Sequence, residues 1–281
     1  MKTVALVAKP GKPEAVTLAK KMKAAHKKTK FVADAWLAGQ LGWEILSSAK
    51  VGAKADVVVV LGGDGTLIQA ARLLKGRAVP IMGINLGSLG FMTEFPVSDA
   101  MAAFDAVLKG QFLTQSRMKL SCRLYRDDKL LVEDEVLNDV VISKSALAKI
   151  ADHETWLDSD FVALFKSDGI ICSTPSGSTA YSLSAGGPIV HPSIDCVVLT
   201  PICPHALTQR PIIVPGDQTI RIVLKNEVSD VYLTIDGQTG LPLKTGDRVE
   251  VKRSKNRVLL VSNPELDYFA ILRQKLRWGE R

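Results

Sequence analysis

The sequence predicts two folded parts, an α/β domain followed by a domain built mainly of β-strands. In the first third of the chain, short apolar runs alternate with segments of helical periodicity, which is typical of β-α-β units around a parallel sheet. Beyond residue 108, short strand-like runs follow one another with turns between them. A chain of 281 residues is also long enough to bury two cores.

The N-terminal part is predicted to begin with a strand, a turn and a helix. The apolar run at residues 3–8 suits a strand, and Pro13 suits the first turn of the helix that follows. The run at residues 56–61, which is mostly valine, suits a strand that is buried on both faces. The other predicted elements of this part are strands at 30–33 and 78–84 and helices at 36–46 and 67–74. One more helix is predicted at 98–108, before the β-rich pattern begins.

The C-terminal part is predicted to be β-rich, with a basic tail at 267–278 that has helical periodicity. We therefore predict a Rossmann-like α/β domain with a parallel sheet over residues 1–96, with a C-terminal helix at 265–281 packed back on it. Residues 97–264 are predicted to form a β-sandwich-like domain. Its predicted strands lie at 119–125, 130–132, 136–143, 154–157, 161–166, 170–173, 195–201, 212–214, 219–224, 231–235, 248–252 and 258–261.

A glycine-rich turn joins the central strand to the next helix. Gly62, Gly63 and Gly65 let the backbone approach a phosphate without a Cβ in the way, and a helix N-terminus favours an anion. A carboxylate repels phosphate, so Asp64 indicates a chemical task such as accepting a proton from a hydroxyl or helping to hold Mg²⁺. Taken alone, the segment is equally compatible with a plain turn in which Asp64 or Thr66 caps the helix.

A second segment, Asn85-Leu86-Gly87, follows the next predicted strand. Ligands of parallel sheets bind at the carboxyl ends of the strands, where both segments are expected to lie.

Three polar clusters occur in the β-rich part. Residues 167–188 combine hydroxyl side chains, glycines and Tyr181, which could stack on a flat ring; a Gly/Ser-rich connector is the alternative. Asn138 and Asp139 lie inside an apolar run, where their burial is costly unless they bind something. Asp236-Gly237-Gln238 follows a predicted strand, and its alternative is a hairpin turn.

Composition limits the classes of partner. The net charge of +7, from 36 basic and 29 acidic residues, allows an anionic partner such as a nucleotide. A nucleic-acid binder is not expected, because an aromatic content of 6% offers few stacking platforms. The cysteines and histidines show no metal-ligand spacing. No signal peptide and no membrane-spanning apolar stretch is visible, so we expect a cytoplasmic protein without a membrane partner.

Five motifs follow one another along the chain. They are Gly62-Gly63-Asp64-Gly65-Thr66, Asn138-Asp139-Val140-Val141, Asp168-Gly169 with the stretch from Ser173 to Tyr181, Ser184-Ala185-Gly186-Gly187-Pro188, and Pro204-His205-Ala206-Leu207 with Arg210-Pro211. In order and spacing they resemble those of bacterial NAD kinases, the ATP- or polyphosphate-dependent NAD kinase family, and the similarity runs from Lys9-Pro10-Gly11 to Asp236-Gly237-Gln238. The glycine-rich motif is shared with diacylglycerol and sphingosine kinases, whereas the stretch at 174–181 is more selective.

The resemblance implies a reaction and a set of site residues. Asp64 would activate the 2′-hydroxyl of the adenosine ribose of NAD for attack on the γ-phosphate of ATP, giving NADP and ADP. Mg²⁺ or another divalent cation would assist. The residues implied to hold phosphate are Gly62, Gly63, Gly65 and Thr66. The residues implied to contact NAD are Asp64, Gly65, Asn138, Asp139, Lys149, Lys166, Asp168, Ser176, Thr179, Ala180, Tyr181, Ser182, Leu183, Ser184 and Gln238.

Some of these positions depart from the pattern of many relatives. Asp139 stands where many have glutamate, and Lys166 stands where many have arginine. Lys149 stands where a histidine or another basic residue is common. The family further implies that NAD binds between the two domains and that the protein forms homodimers or homotetramers. We accordingly expect residues 1–96 to be the nucleotide phosphate-binding domain and residues 97–264 to be the NAD-binding domain.

Two other functions are compatible with parts of the sequence. A lipid kinase of the diacylglycerol class would share the glycine-rich motif but would leave the stretch at 174–181 unexplained. A non-enzymatic NAD sensor would bind NAD without needing Asp64. The motifs leave open whether inorganic polyphosphate replaces ATP as the phosphoryl donor.

Overall fold

The computed structural model describes residues 2–45, 55–145, 149–227 and 229–278. The chain divides into two compact units, Met1–Ser116 with Val258–Arg281, and Arg117–Arg257. The predicted boundary at residue 96 is therefore displaced to residue 116, and the C-terminal part of the first unit begins at 258 rather than 265. The helix at 100–109 accounts for most of the difference, because Phe104 and Val107 are buried in the core of the first unit.

The first unit contains a parallel sheet in the order β2-β1-β3-β4, followed by the short strand β5. This observation confirms the predicted α/β class. The strands are β1 Thr3–Ala8, β2 Lys30–Ala33, β3 Val57–Gly62, β4 Ile81–Asn85 and β5 Phe95–Pro96. Strand β3 is buried along its whole length, as its apolar run predicts for a strand covered on both faces.

Local signals fix the ends of the helices in this unit. Pro13 stands at the start of α1, and the Asp34 carboxylate caps α2 by accepting the Leu37 N–H at 2.9 Å. Helix α2 ends because Gly42 adopts a left-handed conformation, so the helix predicted to residue 46 stops at 41; residue 46 lies outside the described residues. The helices are α1 Pro13–Ala25, α2 Ala35–Leu41, α3 Asp64–Leu73, α4 Ala100–Lys109 and, near the C-terminus, α6 Tyr268–Leu276.

The second unit is formed by two antiparallel sheets. One has the order β13-β12-β11-β8-β15-β16, and the other contains the order β10-β9-β14-β17, with β6 paired to β17 and β7. Both contribute to one core, for example Ile170 from the first sheet and Ile222 from the second. The strands are β6 Thr114–Arg126, β7 Lys129–Val136, β8 Asp139–Lys144, β9 Ala151–Leu157, β10 Asp160–Ser167, β11 Gly169–Ser173, β12 Cys196–Ile202, β13 Ile212–Pro215, β14 Ile220–Leu224, β15 Val231–Ile235, β16 Thr239–Leu243 and β17 Arg248–Val261.

Three strand assignments in this unit differ from the prediction. The run at 136–143 is not one strand, because the chain bends at Leu137 and Asn138 between β7 and β8. The predicted strands at 248–252 and 258–261 are one continuous strand, β17. Strand β16 was not predicted, since Gly240 and Pro242 make its sequence a poor strand signal. The connector at 174–188 contains a short 3₁₀ turn, Gly177–Thr179, and helix α5 Tyr181–Ser184.

His153 makes the stability of the second unit depend on pH. The side chain is fully buried on β9, and burial lowers its pKa to about 4. The unfolded chain binds a proton near the ordinary value of 6.5, whereas the folded chain does not. Stability is therefore lost as the pH falls from about 6.5 toward 4.

We expect the free energy of unfolding in urea to drop by about 2 kcal/mol between pH 7 and pH 5 through this residue alone. His153→Leu should remove this part of the acid loss, whereas the same change at the exposed His205 should leave it in place. Equal acid sensitivity of the wild type and His153→Leu would contradict the assignment.

Candidate active site

The glycine-rich turn and the Asn85 segment lie at adjacent strand ends. Strands β3 and β4 are parallel, and Gly62 pairs with Asn85 in their register. The backbone N–H of Lys9 donates to the Leu61 carbonyl at 2.9 Å, which brings the end of β1 alongside. The carboxyl ends of three neighbouring strands therefore meet at one edge, where open α/β sheets bind their ligands.

The glycines of the turn have different structural roles. A Cβ on Gly62 would lie 2.5 Å from Thr66 Oγ1 and 2.9 Å from its Cβ, so glycine is required for helix α3 to start directly after the strand. Positions Gly63 and Gly65 face open space, with no heavy atom within 4 Å of an added Cβ. The helix N-cap is Gly63 rather than Asp64 or Thr66. The space beside Gly63 and Gly65 is therefore accessible to a ligand that approaches the backbone.

Asp64 is held by the loop that follows β4. Its Oδ2 accepts the N–H of Phe91 at 2.7 Å. Its Oδ1 accepts the N–H groups of Met92 and Thr93 at 3.0 Å each and the Thr93 hydroxyl at 3.1 Å. A Cβ at position 90 would collide with the Asp64 carboxylate and Thr93, so this position requires glycine. These four hydrogen bonds fix the orientation of the carboxylate. Because Oδ2 accepts only one of them and Oδ1 accepts three, Oδ2 has more lone-pair capacity left for a ligand.

Asn85 organises the same loop from the end of β4. Its Oδ1 accepts the N–H of Gly87 at 2.6 Å, and its Nδ2 donates to the Ser88 carbonyl and, at 3.3 Å, to Thr93 Oγ1. Asn85 and Asp64 thus share the Thr93 hydroxyl. The sequence places these segments at one edge but gives no sign that residues 91–93 bind Asp64.

In the second unit, Asp236 binds the bend that contains Asn138. Its Oδ2 accepts the N–H of Leu137 at 3.0 Å, and its Oδ1 accepts those of Asn138 and Asp139 at 2.7 and 3.2 Å. In return, the N–H of Asp236 donates to the Asp139 carbonyl at 3.0 Å. Asp236 and Gly237 both have positive φ in the turn between β15 and β16, so the segment is the hairpin turn and also a ligand of the bend.

Thr174 also binds the bend, by donating hydrogen bonds to two backbone carbonyl groups of the bend. Its N–H donates to the Asn138 carbonyl at 2.8 Å and its hydroxyl donates to the Leu137 carbonyl at 2.7 Å. The N–H of Gly177 donates to that hydroxyl at 3.0 Å, and a Cβ on Gly177 would overlap the Asn138 carbonyl. The start of the 174–181 stretch is therefore packed against the bend and is not a loose connector.

A cavity of about 380 Å³ lies beside this bend. The Asn138 Oδ1 is buried without a hydrogen-bond partner, and the neighbouring Asp139 is also buried. Both are positioned to bind polar groups of a ligand. The lining residues are Asn138, Asp139, Val141, Ser143, Ala180, Tyr181, Thr234, Asp236 and Gly237.

The Asp139 carboxyl titrates near neutrality. Burial raises its pKa to about 7, with the nearby negative charge of Asp236 as the second cause. Near pH 7 the group is therefore present in both protonated and ionised forms.

The predicted NAD-contacting residues of the second unit are only partly brought together. Asn138, Asp139, Ala180 and Tyr181 line one cavity. Ser182 is instead buried, with its hydroxyl 3.0 Å from that of Thr200.

The other predicted residues lie outside that lining set. The Asp168 carboxylate pairs with the Lys144 ammonium at 3.2 Å. Ser176, Thr179 and Leu183 are half-buried, and Lys149, Lys166, Ser184 and Gln238 are exposed.

Sequence reasoning did not assign Val141, Ser143, Thr234, Asp236 and Gly237 to the cavity. A signal existed for two of them. Asp139, Val141 and Ser143 alternate along β8, so they share one face of the strand.

Neither a membrane helix nor a protein-built metal cluster is found in the described ranges. No helix there has the length and apolar character needed to cross a bilayer. Within the same residues, no group of three or more His, Cys, Asp and Glu side chains could hold a metal ion.

Gly177 offers a test of the packed bend. Gly177→Ala is expected to lower the free energy of unfolding by about 1–3 kcal/mol, because the new Cβ overlaps the Asn138 carbonyl. Thermal and urea unfolding measure the effect. Gly240→Ala, where nothing lies within 4 Å of the added Cβ, is the matched control and should change stability far less. Equal effects of the two changes would contradict the tight contact at Gly177.

Comparison with known proteins identifies the family. Residues 14–112 match the model of the ATP-NAD kinase N-terminal domain, and residues 137–263 match that of the ATP-NAD kinase C-terminal domain. The NAD kinase of Geotalea daltonii is 53% identical over 228 residues, which are 81% of this chain and 80% of that protein. The NAD kinase of Trichlorobacter lovleyi is 47% identical over 285 residues, covering both proteins completely.

Solved structures show the same fold. A yeast NADH kinase complexed with NADH has a TM-score of 0.94 at 24% identity, covering 100% of this chain and 89% of that one. An NAD kinase from Archaeoglobus fulgidus in complex with ATP has a TM-score of 0.78 at 24% identity, covering 98% of each chain. Because the family models match both parts of the chain and relatives near 50% identity cover most of it, the chain belongs to the NAD kinase family.

Proposed function

We propose that this chain transfers the γ-phosphoryl group of ATP to the 2′-hydroxyl of the adenosine ribose of NAD, giving NADP and ADP. The observation that carries the proposal is the Asp64 carboxylate, fixed beside a glycine turn whose backbone is open to a ligand. Family membership supports the same reaction. A lipid kinase or a non-enzymatic sensor has no comparable support.

Asp64 is the proposed general base. As the ribose oxygen attacks the γ-phosphorus, its proton passes to the Asp64 carboxylate, and Oδ2 is the oxygen with the greater free lone-pair capacity. The bond from the γ-phosphorus to the β–γ bridging oxygen breaks, and ADP leaves with that electron pair. The fixed carboxylate contributes by being held in place before the reaction.

The proposed phosphate site is formed by Gly62, Gly63, Gly65 and Thr66. The amino end of α3 favours an anion, and Gly63 and Gly65 leave room beside it. The N–H of Thr66 already donates to the Gly63 carbonyl at 3.0 Å, so the N–H groups proposed for phosphate are those that precede it. We assign Mg²⁺ to the triphosphate rather than to a protein cage, because it is commonly bound through phosphates, waters and one carboxylate. At the glycine turn, Asp64 is the carboxylate that would contact this ion together with the phosphates. When bound, the ion neutralises charge on the transferring phosphoryl group.

The proposed NAD site is the cavity beside the Asn138 bend. The unpartnered Asn138 Oδ1 suits an amino or hydroxyl donor of the ligand, and the Tyr181 ring is 46% exposed and able to stack on a base. Lys149, Lys166, Asp168 and Gln238 stay predictions from the family resemblance. Cytoplasmic location and assembly into homodimers or homotetramers also stay predictions, which fractionation and light scattering would test.

Asp64→Asn is expected to lose most turnover while still binding NAD. The amide cannot accept the hydroxyl proton, and its NH₂ group would face either Phe91 N–H or the Thr93 donors. NADP formation is followed with an NADP-specific dehydrogenase, beside a diacylglycerol phosphorylation assay and a calorimetric NAD titration.

Thr93→Val separates the role of Asp64 as general base from its role in binding the loop at residues 91–93. It removes one hydrogen bond to the carboxylate but leaves the base in place, so it should retain far more turnover than Asp64→Asn. Near-normal NADP formation by Asp64→Asn would show that the base assignment is wrong. Lipid phosphorylation without NADP would favour the lipid-kinase alternative.

Gly65→Ala tests the open space above the glycine turn. Alanine is the better helix former, so the fold should be unchanged or stabilised by up to about 1 kcal/mol. The methyl group would occupy space proposed for the triphosphate, so the KM for ATP should rise while that for NAD changes little. Gly39→Ala, another helical glycine with nothing within 4 Å, is the control for the propensity effect. An unchanged KM for ATP would argue against a phosphate at Gly65.

A further inference from the structure

We propose that Asp236 is a positioning residue of the NAD site, acting through the backbone of residues 137–139 to hold Asn138 and Asp139 at the cavity. The proposal rests on the proposed function for the identity of the ligand. It assigns to Asp236 a role that neither the motifs nor the family resemblance gave to it.

The geometry requires a carboxylate at this position. Three consecutive N–H groups, those of Leu137, Asn138 and Asp139, point to one side chain. A strand cannot place three successive N–H groups in one direction, so the chain must bend to do so. A carboxylate accepts all three through two oxygens, whereas an amide has only one accepting atom.

The turn that carries Asp236 is shaped to deliver this carboxylate. Asp236 is only 8% exposed and has a φ of 49°, a left-handed conformation that aspartate tolerates better than most residues. Gly237 follows with a φ of 63°. The reciprocal bond from the Asp236 N–H to the Asp139 carbonyl aligns the turn with the bend. The backbone conformation of Asp236 and the contacts of its side chain therefore both serve to hold the bend.

The bend is held from its other side by Thr174, which binds the carbonyls of Leu137 and Asn138. Because the N–H groups of the bend donate to Asp236 and its carbonyls accept from Thr174, the backbone of the bend has little freedom to rotate. The side chains of Asn138 and Asp139 are then the polar groups that the bend offers to a ligand, and both line the cavity.

Asp236 also acts on the charge of Asp139. The titratable side chains that line the cavity are Asp139, Asp236 and Tyr181, and the nearest described ion pair on β8 is that of Lys144 with Asp168. The negative charge of Asp236 adds to burial in raising the pKa of Asp139. Loss of that charge should therefore move the titration of Asp139 to lower pH, an effect that a purely structural turn residue would not produce.

The test compares Asp236→Asn with Asp127→Asn in the full-length protein. Asp127 also has a φ of 49° and stands in the hairpin turn between β6 and β7, so it is a matched control for a turn aspartate. NADP formation is measured from pH 5.5 to 9 with NAD and ATP varied separately, and NAD affinity is measured by calorimetry beside it.

For Asp236→Asn we expect the KM and the Kd for NAD to rise about tenfold, with the KM for ATP nearly unchanged. The transition near pH 7 in kcat/KM for NAD should move to lower pH. Asp127→Asn should alter neither. Unchanged NAD affinity, or an unshifted pH transition in a folded variant, would overturn the proposal, as would equal rises of both KM values.

A second variant covers the case in which Asp236→Asn does not fold. Thr174→Val removes the hydroxyl that binds the Leu137 carbonyl, and it should weaken NAD binding without changing the KM for ATP. Normal NAD binding by a folded Thr174→Val protein would also overturn the proposal that the bend must be held in place for NAD to bind. Absence of NADP formation by the wild type would count against the proposed reaction, whereas the NAD titrations would still decide the role of Asp236.

Discussion

Each unit of this protein is organised around an aspartate carboxylate that accepts three consecutive backbone N–H groups. In the first unit, Asp64 binds the N–H groups of residues 91–93, and in the second unit Asp236 binds those of residues 137–139. Successive N–H groups that point one way form a concave site for an anion. Here a side chain of the protein fills that site, so the loop is fixed before any ligand arrives.

The two carboxylates differ in what they leave available. Asp64 lies at the amino end of α3 and is partly exposed, so the carboxylate that holds a loop is also placed to take part in chemistry. Asp236 is buried, and what it presents to a ligand is the neighbouring pair Asn138 and Asp139. One aspartate therefore serves as a proposed base and the other as a support. The difference follows from exposure and not from residue type, which is the same in both.

Several elements were predictable because their signals are local. The valine run of β3 is buried on both faces, Pro13 starts α1, and the helix at 100–109 lies where periodicity placed it. The predicted strand at 136–143 was wrong because the residue that bends it, Asp236, lies 98 positions away from Asn138 in sequence. The domain boundary was misplaced for a related reason, since α4 was correctly predicted as a helix but its packing partners could not be identified from neighbouring residues.

The sequence by itself determined the fold class, the family and the short motifs, because apolar periodicity and glycine spacing are properties of neighbouring residues. It also placed Gly62 and Asn85 at the same edge, since the carboxyl ends of parallel strands coincide. Only the tertiary structure decided that Asp64 is bound by residues 91–93, that Ser182 faces Thr200, and that Asp236 and Thr174 hold the Asn138 bend. These contacts join residues far apart in the chain. Their partners are selected by how the strands pack and not by any pattern that a local segment carries.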